Sequence, residues 1–346
     1  MRVPPNLIRL TVAALFAALG GWLASRLQFP LAWLVGAMIV TAALTLGGLQ
    51  VDMPRPLYRT GQIVIAVSVG LSVSSDVGTI VVPHIPLIVS GALISIAIGY
   101  FLSGLLARWS RLDRASAHFS MIPAGISEMG DLAGRMGADV GAVATFHTLR
   151  VTLIVIVLPA VMFLLFEHGD RLPQAVAGRY DAQLALAFAA GVAAALAGSA
   201  IGMPAAFFVA PMLVLSLLSG SGLIEARTPH EVLAVAQVML GLALGARFRR
   251  ETMARLPCAL AIGMILILVH AFAMGAIAVA ASAVMGQEVR LLILGLATGG
   301  TAEMVLTAKM VGANAALVAA YQVTRGLLGN LLAQPIYRLA IARRSL

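Results

Sequence analysis

Apolar runs of about 18 residues or more, with few charges in them, recur along the whole chain. Nothing else in the sequence restricts the fold as strongly, because such runs are the mark of membrane-spanning helices. Apolar residues make up 61% of the 346 and charged residues only 11%. Water-soluble globular domains do not have this balance. The loops between the runs are short, and none is long or polar enough for a soluble domain.

The formal charge is +9, from 23 basic and 14 acidic residues. Every basic residue is Arg except Lys309. The Arg residues gather at the ends of the apolar runs, as orientation by the positive-inside rule requires. A nucleic-acid surface would need a basic patch on a soluble module, so no nucleic-acid partner is expected. Cys258 is the single cysteine, which excludes an internal disulfide and a cysteine-based metal cluster. The first apolar run, after Arg2 and Arg9, has the look of a signal peptide. Its counterpart in the second half of the chain argues against that.

The chain is internally repeated. Gly125-Ile126-Ser127-Glu128-Met129 returns 175 residues later as Gly300-Thr301-Ala302-Glu303-Met304. At the same offset Gly137-Ala138-Asp139 meets Gly312-Ala313-Asn314, Arg150 meets Arg325, Gln62 meets Gln237 and Gly70 meets Gly245. Nine of the 26 positions from Gly125 to Arg150 are identical. Pro30 to Met38 resembles Pro204 to Met212 at an offset of 174, so one loop residue separates the two registers. The copies span about 1–170 and 178–346, two membrane repeats.

Each copy reads as six apolar segments. They lie near 7–25, 31–49, 57–75, 80–108, 115–135 and 139–166, then near 181–200, 204–222, 229–247, 257–285, 290–310 and 314–340. The fifth is unusual. It holds Gly125, Glu128, Gly130, Asp131, Gly134 and Arg135 in the first copy, and Gly299, Gly300, Glu303 and Lys309 in the second. With a cytoplasmic N-terminus, six crossings per copy would leave Arg247, Arg249, Arg250 and Arg255 outside, against the rule. Five crossings per copy invert the second copy and bring that cluster inside, with both termini cytoplasmic. The expected fold class is an all-α polytopic membrane protein: two inverted repeats, about ten spanning helices and interrupted or re-entrant segments. The fifth segment is the candidate for the re-entrant or broken element. A broken fifth segment that still crosses, with another segment re-entrant, is the alternative. Many secondary transporters are built this way, with the site near midplane at the repeat interface.

Glu128 and Glu303 lead the candidate site. A carboxylate at membrane depth costs roughly 2.5–3.5 kcal/mol or more, so it should face a cavity or a partner. A two-fold relation could bring the pair to one point, where they would share protons, bind a cation or receive a basic group. Each also stands three residues after a glycine near a helix start, as an N-terminal cap would. Arg150 and Arg325 sit inside the last apolar segment of each copy and need carboxylates or carbonyls. Glu128 or Glu303 is the simplest partner; binding an anionic substrate and snorkelling are the alternatives. His147 lies three residues before Arg150, with Gln322 as its counterpart. It reads as a hydrogen-bonded residue or as a proton relay. Gln62 and Gln237 read as interhelical hydrogen-bonding groups or as cavity lining. Gly125, Gly299 and Gly300, flanked by Ser127 and Thr301, allow a backbone break that would aim free N–H groups at the midplane. Close helix packing is the other use of glycine in membranes. Asp131 and Lys309 lack acidic or basic counterparts, which points to asymmetric or peripheral roles. No nucleotide loop and no metal-ligand spacing occurs, so no cofactor, metal or enzymatic chemistry is expected.

Pro123-Ala124-Gly125-Ile126-Ser127-Glu128-Met129, with Gly137-Ala138-Asp139 and Arg150, resembles the repeat motif of the duplicated AbrB-type membrane protein family of bacteria. Gly299-Gly300-Thr301-Ala302-Glu303-Met304, with Gly312-Ala313 and Arg325, fits it again. Members carry labels of transcriptional regulator or ammonia monooxygenase. The residues supply neither a DNA-binding module nor a copper or iron ligand set. The glycine-rich interruption before a long last helix is also similar to the broken-helix region of bile-acid-symporter-like and sodium/proton-antiporter-like folds, an analogy of architecture alone. The expected function is secondary transport of a small solute coupled to protons or sodium, in the bacterial inner membrane. The partners are then the lipid bilayer and a small molecule or ion, with homo-oligomerisation left open. A membrane-embedded regulator of gene expression is the alternative, and a membrane monooxygenase the last choice.

Overall fold

A computed structural model describes residues 5–72, 81–166 and 178–342. Every regular element among the described residues is helical. In chain order these are α1 (Pro5–Arg26), α2 (Ala32–Leu46), α3 (Arg55–Gly70), a 3₁₀ turn (Val82–His84), α4 (Ile85–Ser110), α5 (Arg114–Met121), α6 (Ile126–Arg135) and α7 (Val140–Phe166). There follow α8 (Ala182–Ala200), α9 (Ala206–Gly220), α10 (His230–Gly245), α11 (Arg250–Arg255), α12 (Pro257–Met285), α13 (Val289–Leu296), α14 (Thr301–Met310) and α15 (Ala315–Ala342).

Among the described residues, five stretches are long and apolar enough to cross a membrane: Leu7–Arg26, Val82–Ser110, Val140–Phe166, Ala182–Ala200 and Pro257–Met285. Three apolar helices, α2, α9 and α10, are shorter. The helix α15 has 28 residues but carries Arg325, Asn330 and Arg338 along its length.

The fifth apolar segment of each half is interrupted. It forms α5 and α6 in the first half and α13 and α14 in the second, with the chain extended at Ile122 (φ −65°, ψ 125°) and Ala297 (φ −61°, ψ 141°). Local backbone features recur at offsets of 174 or 175. All ten positive-φ residues among the described ones fall into such pairs: Gln28 with Gly202, Leu31 with Ala205, Gly48 with Gly222, Arg111 with Gly286, and Gly137 with Gly312. The Gly-Ala-Asp and Gly-Ala-Asn triplets now have a physical role. Gly137 and Gly312, both at φ 72°, turn the chain after α6 and α14, a conformation that costs glycine little. Asp139 then caps α7 by accepting from Ala142 N at 3.0 Å, and Asn314 caps α15 by accepting from Leu317 N at 3.0 Å.

The chain forms two compact units, each drawing on both halves of the sequence. One comprises Met1–Val81, Val155–Arg250 and Ala302–Ala319. Its helices meet through small residues. Gly36 on α2 lies against the Gly20 carbonyl of α1, and Gly198 on α8 against Ala210 of α9. A second pair of contacts is reciprocal. Gly70 of α3 lies against Met212 and Leu215 of α9, while Gly245 of α10 lies against Met38 and Thr41 of α2. The partners in the two contacts are themselves counterparts, as in an isologous interface. Ile63, Val67, Ala187 and Leu215 pack in its core.

The other unit comprises Val82–Ile154, Glu251–Thr301 and Ala320–Leu346. Leu106, Met121, Phe146 and Ile267 form one part of its core, and Phe119, Ile122, Met129 and Ala333 another. Both parts lie against the first interruption. Gly99 of α4 comes so close to the Met121 carbonyl that a Cβ there would stand 2.8 Å from it, and Gly329 of α15 packs on the Pro123 carbonyl.

Backbone-to-backbone approach at Gly36 makes it sensitive to a single methyl group. Gly36→Ala should lose about 1–3 kcal/mol from overpacking, read as a lowered Tm of the detergent-solubilised protein. Gly275→Ala, where nothing lies within 4 Å of the new Cβ, should be neutral or gain up to about 1 kcal/mol from helix propensity. Equal effects at the two sites would contradict the packing described.

Candidate functional site

An α-helix that ends inside a protein leaves its last carbonyls without intrahelical partners. At membrane depth each unmet carbonyl costs several kcal/mol. The short helices α5 and α13 end this way, and the long helices α7 and α15 supply the missing donors. His147 Nε2 donates to Phe119 O at 2.8 Å, and Arg150 Nη1 donates to Ile122 O at 3.2 Å. On α15, Gln322 Nε2 donates to Leu294 O at 2.7 Å and Ala297 O at 2.9 Å, and Arg325 Nη2 donates to Gly299 O at 2.9 Å. A positive charge at a helix C-terminus also complements the helix dipole.

The two clamps match in the bridge from Arg through His147 or Gln322 to Phe119 O or Leu294 O. They differ in that Arg150 holds Ile122 O whereas its counterpart Ala297 O is held by Gln322, and Arg325 holds Gly299 O instead. Arg150 Nη2 donates to His147 Nδ1 at 2.8 Å, and Arg325 Nη2 donates to Gln322 Oε1 at 2.6 Å. A guanidinium can only donate. His147 Nδ1 must therefore carry a lone pair, and Nε2 carries the proton given to Phe119. The imidazole is thus neutral while these bonds hold. Gln322 offers the same acceptor and donor without any titrating group, so the shared task of this pair is to bridge Arg to carbonyl, not to relay protons. The partners of Arg150 and Arg325 are carbonyls and a neutral neighbour, where a carboxylate had been the simplest expectation. The interruption itself generates these acceptors. Ion pairs among the described residues, Arg255 with Asp139 and Arg290 with Glu288, lie elsewhere.

All four clamp residues are buried in the unit that also holds the first interruption. The charges of Arg150 and Arg325 lie near enough to repel one another, and His270 feels both. His270 Nε2 meets Ser95 Oγ at 3.2 Å. Ser95 and His270 are 175 residues apart and are counterparts, so each touches the position equivalent to itself. Two more contacts steady the first interruption. Gly125 N donates to Asn330 Oδ1 at 3.2 Å, and His118 Nε2 meets Ala333 O at 2.9 Å. No sequence signal marks Asn330, Ser95 or His270, because each depends on which helices become neighbours.

The two glutamates differ. Glu128 is exposed in the first turn of α6. Its carboxylate occupies the space where a Cβ of residue 125 would stand. Gly125 itself has φ −69°, an ordinary value, so its small size matters there and not its backbone freedom. The side chain of Ser127 lies outside the described residues. Glu303 is buried in the first turn of α14, in the other unit. It lies within electrostatic reach of Tyr58 and Arg247. The Arg247 guanidinium stacks 5.3 Å from the Tyr58 ring centre, and Gln62 Nε2 points at Tyr58 Oη, 3.4 Å away on the same helix. Lys309, on the last turn of α14, donates to Ser68 O at 2.9 Å and Ser68 Oγ at 2.8 Å. Gln237 is half-buried in α10. Gly300 and Thr301 lie at the start of α14. An apolar cavity of about 490 Å³ opens in the same unit, lined by Leu10, Trp33, Met53, Leu57, Val235 and Met239 among others. None of the expected site residues lines it.

The molecule is thus an all-helical protein with helices of membrane-spanning length and two interrupted helices, each clamped at its break by a buried Arg. It belongs to the AbrB family: the model described as transition state regulatory protein AbrB matches residues 43–341. The chain is 25% identical to "Uncharacterized protein YhjN" of Bacillus subtilis (strain 168), over 98% of this chain and 95% of that one. It is 24% identical to "Putative regulator AbrB" of Escherichia coli (strain K12), over 68% of each.

The matching of His147 to Gln322 can be tested directly. His147→Gln should leave the Tm nearly unchanged. His147→Leu should lose about 1–3 kcal/mol, because a buried carbonyl and an Arg N–H both lose their partner. A His147→Gln protein as unstable as His147→Leu would contradict the clamp.

Proposed function

We propose that this protein is a secondary transporter of a small solute in the bacterial inner membrane, coupled to protons or sodium. In this reading the chain crosses about ten times as two inverted repeats, with both termini cytoplasmic. The solute site lies at the interface of the repeats. Support comes from the paired positive-φ residues, the reciprocal glycine contacts and the contact of Ser95 with its own counterpart His270. The observation that carries most weight is the pair of matched helix interruptions, each holding buried polar and charged groups. Irregular backbone at membrane depth is tolerated where it lines a cavity or is buried in protein, and transporters place their sites at such breaks. Glu303, buried beside Arg247 and Tyr58, is the stronger candidate for the coupling charge, with Glu128 as its counterpart.

A carrier of this kind, purified into liposomes holding a pH-sensitive dye, should dissipate a proton or sodium gradient when the right small solute is added. Glu303→Gln should lower that flux about tenfold or more while the Tm stays within a few degrees. Full activity in the Glu128→Gln/Glu303→Gln double variant would reject the reading. The name of the Escherichia coli relative favours a regulator instead. Altered transcription on deletion of the gene, with solute flux unchanged, would support that second reading.

A further inference from the structure

The two clamps leave a specific remainder. Arg150 is 3% exposed and Arg325 6% exposed, and in each the Nε–H has no partner. Both belong to one unit. There α15, which carries Arg325, packs on the first interruption through Gly329 against the Pro123 carbonyl and through Asn330 Oδ1, which accepts from Gly125 N. Arg325 lies within electrostatic reach of Arg150. The polar neighbours of the two clamps do not offset that charge. His147 is neutral by its hydrogen bonds, Gln322 is uncharged, and His270 carries a buried, unpartnered Nδ1. Thr298, at the second interruption, has a buried hydroxyl without a partner.

Two buried guanidinium groups with no counter-charge are costly. Each loses its hydration, and the repulsion between them is weakly screened. Arg150 Nη1 and Nη2 donate to Ile122 O and His147 Nδ1, and Arg325 Nη2 donates to Gly299 O and Gln322 Oε1, partners that bring dipoles but no net negative charge. The unmet, buried donor on each Arg is then a point at which a negative group can be received. Guanidinium suits oxyanions, since its N–H edge matches the spacing of carboxylate or phosphate oxygens.

We propose that Arg150 and Arg325 together bind one small oxyanion, a carboxylate or phosphate group, through the donor edges left open by the clamps. His270 and Thr298 are the neighbouring polar groups available to it. This assignment names the solute class of the carrier reading and rests on that reading for its consequence, although the binding can be measured without flux.

The purified full chain in detergent is titrated with sodium acetate and, separately, sodium phosphate, at ionic strength held constant with sodium chloride. Either oxyanion should raise the Tm in a saturable way relative to chloride alone, as a ligand of the folded state must. Arg150→Gln and Arg325→Gln should each weaken the effect about tenfold or more. Should either variant fail to fold, equilibrium dialysis of radiolabelled acetate and phosphate against the unaltered protein gives the answer, with one bound oxyanion per chain expected. No oxyanion effect beyond chloride, or an effect kept in the folded Arg variants, overturns the proposal. Saturable binding without transport would keep the oxyanion site and reject the carrier. Transport indifferent to both Arg substitutions would do the reverse.

Discussion

Two helices that stop short inside the molecule set the terms for much of what surrounds them. Their terminal carbonyls must be met, and water is a poor candidate in an apolar setting. The answer in both halves is a guanidinium held in place by the residue three positions earlier, one turn along the same helix face. That arrangement costs the burial of two charges. Hydrogen bonds to charged groups, each worth about 1.5–3 kcal/mol, and the dipoles of the helix ends offset part of the cost. The interruption and the buried Arg are therefore one device.

The halves share this device but not their acidic chemistry. Glu303 is buried near Arg247 and Tyr58, whereas Glu128 is exposed and folded toward the start of its own helix. Identical residues at repeated positions thus serve different ends, because the helices around them differ. Lys309 sharpens the contrast: its ammonium binds Ser68 near the end of α3, and Gly134 stands at the equivalent position of the first half. The two halves match in local backbone here, but the second carries a buried acid and a half-buried amine. A carrier needs such asymmetry if one half is to bear the coupling charge.

Helix positions were legible from the sequence to within a few residues, because apolar runs in this chain coincide with helices and glycine or proline stands near their ends. The break in the fifth segment was legible as well, from Gly125, Gly299 and Gly300 among charged residues. Glu–Arg pairing, the simplest reading of the sequence, does not form: Arg150 and Arg325 bind carbonyls and a neutral neighbour. A guanidinium accepts either a carboxylate or carbonyls as its partner, and only the path of the chain decides which is near. His147 was ambiguous for a related reason. Its counterpart Gln322 already held the clue, since an amide can replace an imidazole as bridge but not as proton relay. Contacts such as Gly125 with Asn330 join residues 205 apart and leave no mark in local pattern.

The clamp is the claim on which the site and the carrier reading both stand, and the protonation of one ring reports on it. In protein labelled with ¹⁵N-histidine, with His147→Gln used to assign the signal, the His147 ring should show a protonated Nε2 and an unprotonated Nδ1. A protonated Nδ1, in the other tautomer or in an imidazolium ring, would mean that Arg150 does not donate to it and would contradict the account.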